Sequence, residues 1–78
     1  GKVAKTIGKE ITSKIEKAKI KIFISKAKRA ENTHSYEKAG GDWENAGRLT
    51  KDPEAQNQYY TRAMISYLKS GNYRKLGT

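Results

Sequence analysis

The side chains able to do chemistry are few and poorly grouped. His34 is the sole histidine, set between Thr33 and Ser35, and cysteine is absent. A lone imidazole with no thiolate and no close carboxylate pair makes neither a metal site nor a nucleophilic triad. Glu37, Asp42 and Glu44 are the nearest acids, and capping and surface charge are their simplest roles. The glycines form no phosphate-cradling loop; Gly40-Gly41 reads as a turn. The pattern implies no catalytic residue, no cofactor and no metal, and His34 reads as a surface or helix-start residue.

The informative residues are lysines and aromatics. Residues 1–30 hold ten basic side chains against Glu10 and Glu16, a net +8, whereas residues 31–78 carry a net +1. Lysine supplies nine of those ten, which favours point-charge attraction over bidentate reading of a planar group. Lys14, Lys17, Lys19, Lys21, Lys26, Lys28 and Arg29 are the candidate contacts for a polyanion. Three readings stand side by side. The segment is a solvated helix face, a binder of nucleic-acid backbone through counterion release, or a cationic amphipathic helix on an anionic membrane. Tyr36, Trp43, Tyr60, Tyr67 and Tyr73 are the candidate core or interface anchors. Tyrosine suits either place because it buries its ring while its hydroxyl reaches water. Stacking of Tyr59, Tyr60, Tyr67 and Tyr73 on nucleic-acid bases is the alternative use.

These residues must be carried by helices. To about Ala30 the chain has two apolar stripes if read as one helix. Val3, Ile7, Ile11, Ile15, Ala18 and Ile22 share one face, and Ile20, Phe23, Ile24 and Ala27 share another. Such a helix has to bury two sides or bend between them. Residues 19–24 also alternate lysine with β-branched residues, as a strand does. Helix is preferred, since no second strand is evident to satisfy the backbone of an isolated one. A short helix is expected over about Asn32 to Ala39, with Tyr36 and Ala39 inward. Gly40-Gly41 should break it, and Asp42 should cap another short helix reaching about Thr50.

The strongest local signal is Asp52-Pro53-Glu54: an acceptor for first-turn amides, a proline suited to the first helical position, and an acid near the positive end of the dipole. Ala55, Tyr59, Tyr60, Ala63, Met64, Tyr67 and Leu68 then keep one face apolar until Ser70-Gly71 closes the helix. Tyr60, Met64 and Tyr67 are expected in the core.

Tyr36-Glu37-Lys38-Ala39-Gly40-Gly41-Asp42-Trp43 and Tyr67-Leu68-Lys69-Ser70-Gly71-Asn72-Tyr73 share a plan: tyrosine, glycine turn, polar residue, aromatic. This resembles the junction between the helices of a tetratricopeptide repeat, and of the related hairpins in soluble NSF attachment proteins, over residues 31–76. The resemblance implies antiparallel helices on either side of Gly40-Gly41, with Tyr36 and Trp43 in their shared core, and a role in binding other proteins.

With 78 residues, 35% hydrophobic and 32% charged, there is room for one domain with one modest core. No apolar run approaches the ~18 residues a membrane-spanning helix needs, and lysines interrupt the N-terminal apolar residues, unlike a secretory leader. The compartment is left open, with a cytoplasmic setting favoured over the alternatives. The sequence therefore points to an all-α fold, a small three- to four-helix bundle. A basic amphipathic segment (1–30) precedes a repeat-like helical hairpin region (31–78). The expected role is noncatalytic docking of another protein; the alternative is cationic binding of nucleic acid or anionic membrane through residues 1–30.

Overall fold

The computed structural model describes the backbone of residues 2–71 and the side chains of residues 13–71. Three helices make up the fold: α1 (Lys2–Asn32), α2 (Tyr36–Leu49) and α3 (Pro53–Ser70), with no strand among the described residues. Residues 19–24 are helical, so the strand alternative is excluded. Helices α1 and α3 both pack on α2.

Local chemistry sets the boundaries. At the end of α1, His34 takes a left-handed conformation (φ 59°). Its amide donates to Glu31 O (3.0 Å), and the Ser35 amide reaches back to Ala30 O (2.8 Å). This is a Schellman closure with histidine where glycine is usual. At the start of α3, Asp52 Oδ1 accepts from the Glu54 amide (3.1 Å) and Pro53 holds the first position. Gly71 closes α3 at φ 79°. Both ends of α3 thus lie where the sequence places them.

The expected break at Gly40-Gly41 is absent. Helix α2 runs straight through both glycines, and Asp42, expected as an N-cap, is a buried mid-helix residue. There is no pair of helices about this point, and Tyr36 and Trp43 lie on one helix. The hairpin turn is instead Thr50-Lys51-Asp52, between α2 and α3.

The glycines serve the tertiary structure. A Cβ on Gly40 would lie 2.5 Å from Tyr67 Cε1, and one on Gly47 would lie 2.6 Å from Tyr60 Cε1. Gly40 and Gly47 are seven residues apart on α2, as Tyr60 and Tyr67 are on α3, so two rings of one helix fill two notches of an antiparallel neighbour. Around these contacts the buried residues are small or aromatic: Ala27 and Ala30 of α1, Ala39 and Trp43 of α2, Ala63 and Tyr67 of α3. Gln56 Nε2 donates to Gly47 O (2.9 Å), tying the start of α3 to the end of α2. Lys51 meets Glu16 at 3.6 Å, which marks how far back along α1 the hairpin reaches.

The two α1 stripes meet different fates. Ala27 is buried, Ile20, Phe23 and Ile24 are half-buried, and Ile24 packs against the buried cluster. Of the other stripe, Val3, Ile7 and Ile11 lie outside the described side chains; Ile15 and Ile22 are 50% and 53% exposed, and Ala18 is exposed. Among the described side chains, α1 buries one of its two stripes and leaves the other open.

These contacts rank the glycine substitutions. Gly41→Ala meets nothing nearer than Tyr67 Oη at 3.9 Å, so the better helix former should stabilise the fold by about 0.5–1 kcal/mol. Gly40→Ala strikes the enclosed Tyr67 ring and should destabilise by about 1–3 kcal/mol. Gly47→Ala should fall between, because Tyr60 is open on one side and has room to swing away. Urea midpoints at constant slope check the order.

Candidate functional site

Helix α2 presents Trp43 between its two neighbours, and this residue joins the three helices. Its ring is 2% exposed. Nε1 donates to Glu31 Oε1 of α1 (2.7 Å). One face stacks with Tyr59 of α3 at 6.0 Å between centroids and 22° between planes, and the Arg62 guanidinium lies 5.0 Å from the ring centroid. A buried indole N–H needs an acceptor. Glu31 supplies it from the last turn of α1, where a carboxylate gains nothing from the helix dipole. Trp43 is thus a core anchor.

The other expected anchors divide. Tyr67 is a true core residue; its hydroxyl bonds to Glu44 of α2. Burial pushes its pKa above the usual tyrosine value, and the negative charge and hydrogen bond of Glu44 add to the rise. Tyr60, expected in the core, lays its ring against Gly47 but is 40% exposed. Tyr36, expected to pack between paired helices, is only half-buried. It bonds through its hydroxyl to His34 Nδ1 (2.9 Å), with Lys69 Nζ 5.5 Å from its ring centroid. The Tyr36 position follows from the continuous α2: as the first helical residue it sits at the rim. Tyr73 lies outside the described residues.

Met64 is the clearest correction. Expected inside, it is 47% exposed. The α3 stripe is wider than the strip α2 covers: Tyr59, Ala63 and Tyr67 turn toward α2, while Met64 and Leu68 sit about 100° further round. Ile65, exposed beside them, was not singled out by the sequence pattern because it lies off the stripe. Its signal was there: a bulky apolar residue among the polar positions of an amphipathic helix.

All seven candidate cations of α1, from Lys14 to Arg29, are exposed. At about 100° per residue, Lys14, Lys17, Lys21 and Lys28 fall within about 60° of one another, while Lys19 and Lys26 form a second row on the other flank. The structure thus brings the lysines into two rows, with Ile15, Ala18, Ile22 and, at the C-terminal end of the same line, Arg29 between them.

Three surface depressions accompany these faces. Ile22 and Phe23 of α1 and Leu49 of α2 floor an open cleft of about 370 Å³ rimmed by Lys19 and Arg48. Near the α1–α2 turn, His34, Lys38 and Asp42 line a broader, more polar hollow. Asp42 Oδ2 is buried with no hydrogen-bond partner, and Lys26, Arg29 and Lys38 share a hollow with it. Among the described residues no three potential metal ligands converge, and no helix is long and apolar enough to cross a membrane.

Comparison with protein-family models, curated proteins and solved structures gives no match. The fold defines a class, a small three-helix bundle with two apolar faces left open, and its function has to be argued from those faces.

The Tyr67 hydroxyl makes stability sensitive to alkali. Its folded pKa lies above the unfolded value of 10.0. Its contribution is therefore complete below pH 10 and lost as pH rises through the folded pKa, because the unfolded chain releases the proton first. Tyr67→Phe should cost about 1–2 kcal/mol near neutrality through the lost bond to Glu44 and flatten the alkaline decline. Melting temperatures of both proteins across the alkaline range test this.

Proposed function

We propose that the chain is a noncatalytic helical docking module that binds another protein along the outward face of α3. The observation that carries this is the band of Tyr60, Met64, Ile65 and Leu68, all 40–47% exposed on one side of a helix whose other side is packed. Single exposed apolar residues need no explanation, but a contiguous band on a monomer marks a contact surface. Helix partners read such a surface through anchors at three- and four-residue steps, and Met64 and Leu68 have that spacing.

A photo-crosslinking residue in place of Ile65 should capture protein adducts in lysate of the source organism, whereas one in place of Lys38 on α2 should not. Met64→Gln with Leu68→Gln should abolish the adducts while changing folding stability by only about 1 kcal/mol in all, as exposed positions do. Equal capture from both positions, or capture indifferent to the glutamines, would overturn the assignment.

A further inference from the structure

The second open surface lies on α1 and has a different chemistry. Folding leaves Ile15 and Ile22 half exposed, seven residues and so about 10 Å apart along the helix. The small residues Ala18 and Ser25 lie on the same outward arc, which Arg29 closes at its C-terminal end with a cation suited to the same headgroups. Lys14 and Lys21 border this arc on one flank, with Lys17 and Lys28 beyond them, and Lys19 and Lys26 border the other. In the sequence the apolar step continues ahead of Ile15 through Ile11 and Ile7, and residues 1–30 carry a net +8.

We propose that this face docks α1 lengthwise on an anionic lipid bilayer. The occupant must accept isoleucines along a central line and neutralise cations along both edges. A bilayer with acidic headgroups does both: isoleucines enter the headgroup boundary while lysine stems lie along it and lift their ammonium groups to the phosphates. A second copy of the chain does not fit, because face-to-face pairing would bring lysine rows of one sign together. Nucleic acid matches the charge but offers no apolar layer for Ile15 and Ile22. Lysine point charges suit a mobile headgroup layer, which presents no fixed planar group to read. The surface is separate from the α3 band, so it stands or falls independently of the protein-docking reading.

The absence of cysteine allows a single reporter to be placed. Ile22→Cys carrying an environment-sensitive fluorophore should shift to the blue with vesicles of phosphatidylcholine and phosphatidylserine, but not with phosphatidylcholine alone. The same label at Asn57→Cys on α3 should not respond. Binding of the unlabelled chain, measured by vesicle sedimentation, should weaken about fivefold for each of Lys19→Gln and Lys26→Gln. Ile15→Gln with Ile22→Gln should weaken it by at least about tenfold, with helicity kept because both residues are exposed. Met64→Gln with Leu68→Gln should leave vesicle binding unchanged. The proposal is overturned if the anionic vesicles are not bound. It is equally overturned if the isoleucine pair makes no difference, or if duplex DNA binds more tightly than vesicles at the same salt and is indifferent to that pair.

Discussion

Everything in this fold depends on how closely α3 approaches α2. Three of the fourteen residues of α2 are glycine, and each costs an isolated helix about 1 kcal/mol relative to alanine. A helix this short is marginal in water even with a favourable composition. Helix α2 therefore persists because its neighbours hold it, and they hold it where side chains are missing. The Tyr67 ring rests where a Gly40 Cβ would be, and Tyr60 where a Gly47 Cβ would be. The local cost of glycine is offset by ring-to-backbone contact that no larger residue permits. From the same central position Trp43 reaches Glu31 on one side and Tyr59 on the other, which ties α1 and α3 to the same element.

This construction decides what is left for the surface. A core of alanine, glycine and aromatic rings needs few branched aliphatic residues. Ile15, Ile22, Met64, Ile65 and Leu68 are not required inside, and all are half exposed. Their positions are not random: the isoleucines of α1 lie between lysine rows, and the α3 group lies beside a tyrosine and among neutral polar residues such as Asn57 and Thr61. One chain thus carries two apolar surfaces of unlike electrostatic character on opposite neighbours of a shared central helix.

The parts of this arrangement visible in the sequence are those governed by local chemistry. Asp52, Pro53 and Gly71 act on amides and carbonyls a few residues away, so the limits of α3 can be read directly. The helicity of α1 follows from its periodicity. Gly40-Gly41 misleads for a physical reason: the flexibility that makes glycine a breaker in isolation is the same missing side chain that admits Tyr67, and only the tertiary partner decides between them. The spacing Gly40–Gly47 against Tyr60–Tyr67 was available as a clue, but it requires knowing that the two segments are neighbours. Periodicity likewise showed two stripes on α1 and one broad stripe on α3 without revealing which strip α2 covers. For that reason Tyr60 and Met64 were expected inside, and the exposed faces, which matter most for function, were the least legible.

The make-up of the core also sets the thermal character of the domain. Heat capacity and enthalpy of unfolding scale with the apolar surface released to water. Among the described residues the enclosed side chains are mostly methyl groups around two large rings, and Ile15, Ile22, Met64, Ile65 and Leu68 are already half hydrated in the native state. The stability curve should accordingly be shallower in temperature than that of a leucine-packed bundle of equal length. Melting should spread over a broad interval, with little loss of stability on cooling. Covering either exposed face would steepen that curve, so calorimetry of the chain with a bound partner would register docking as a sharper transition.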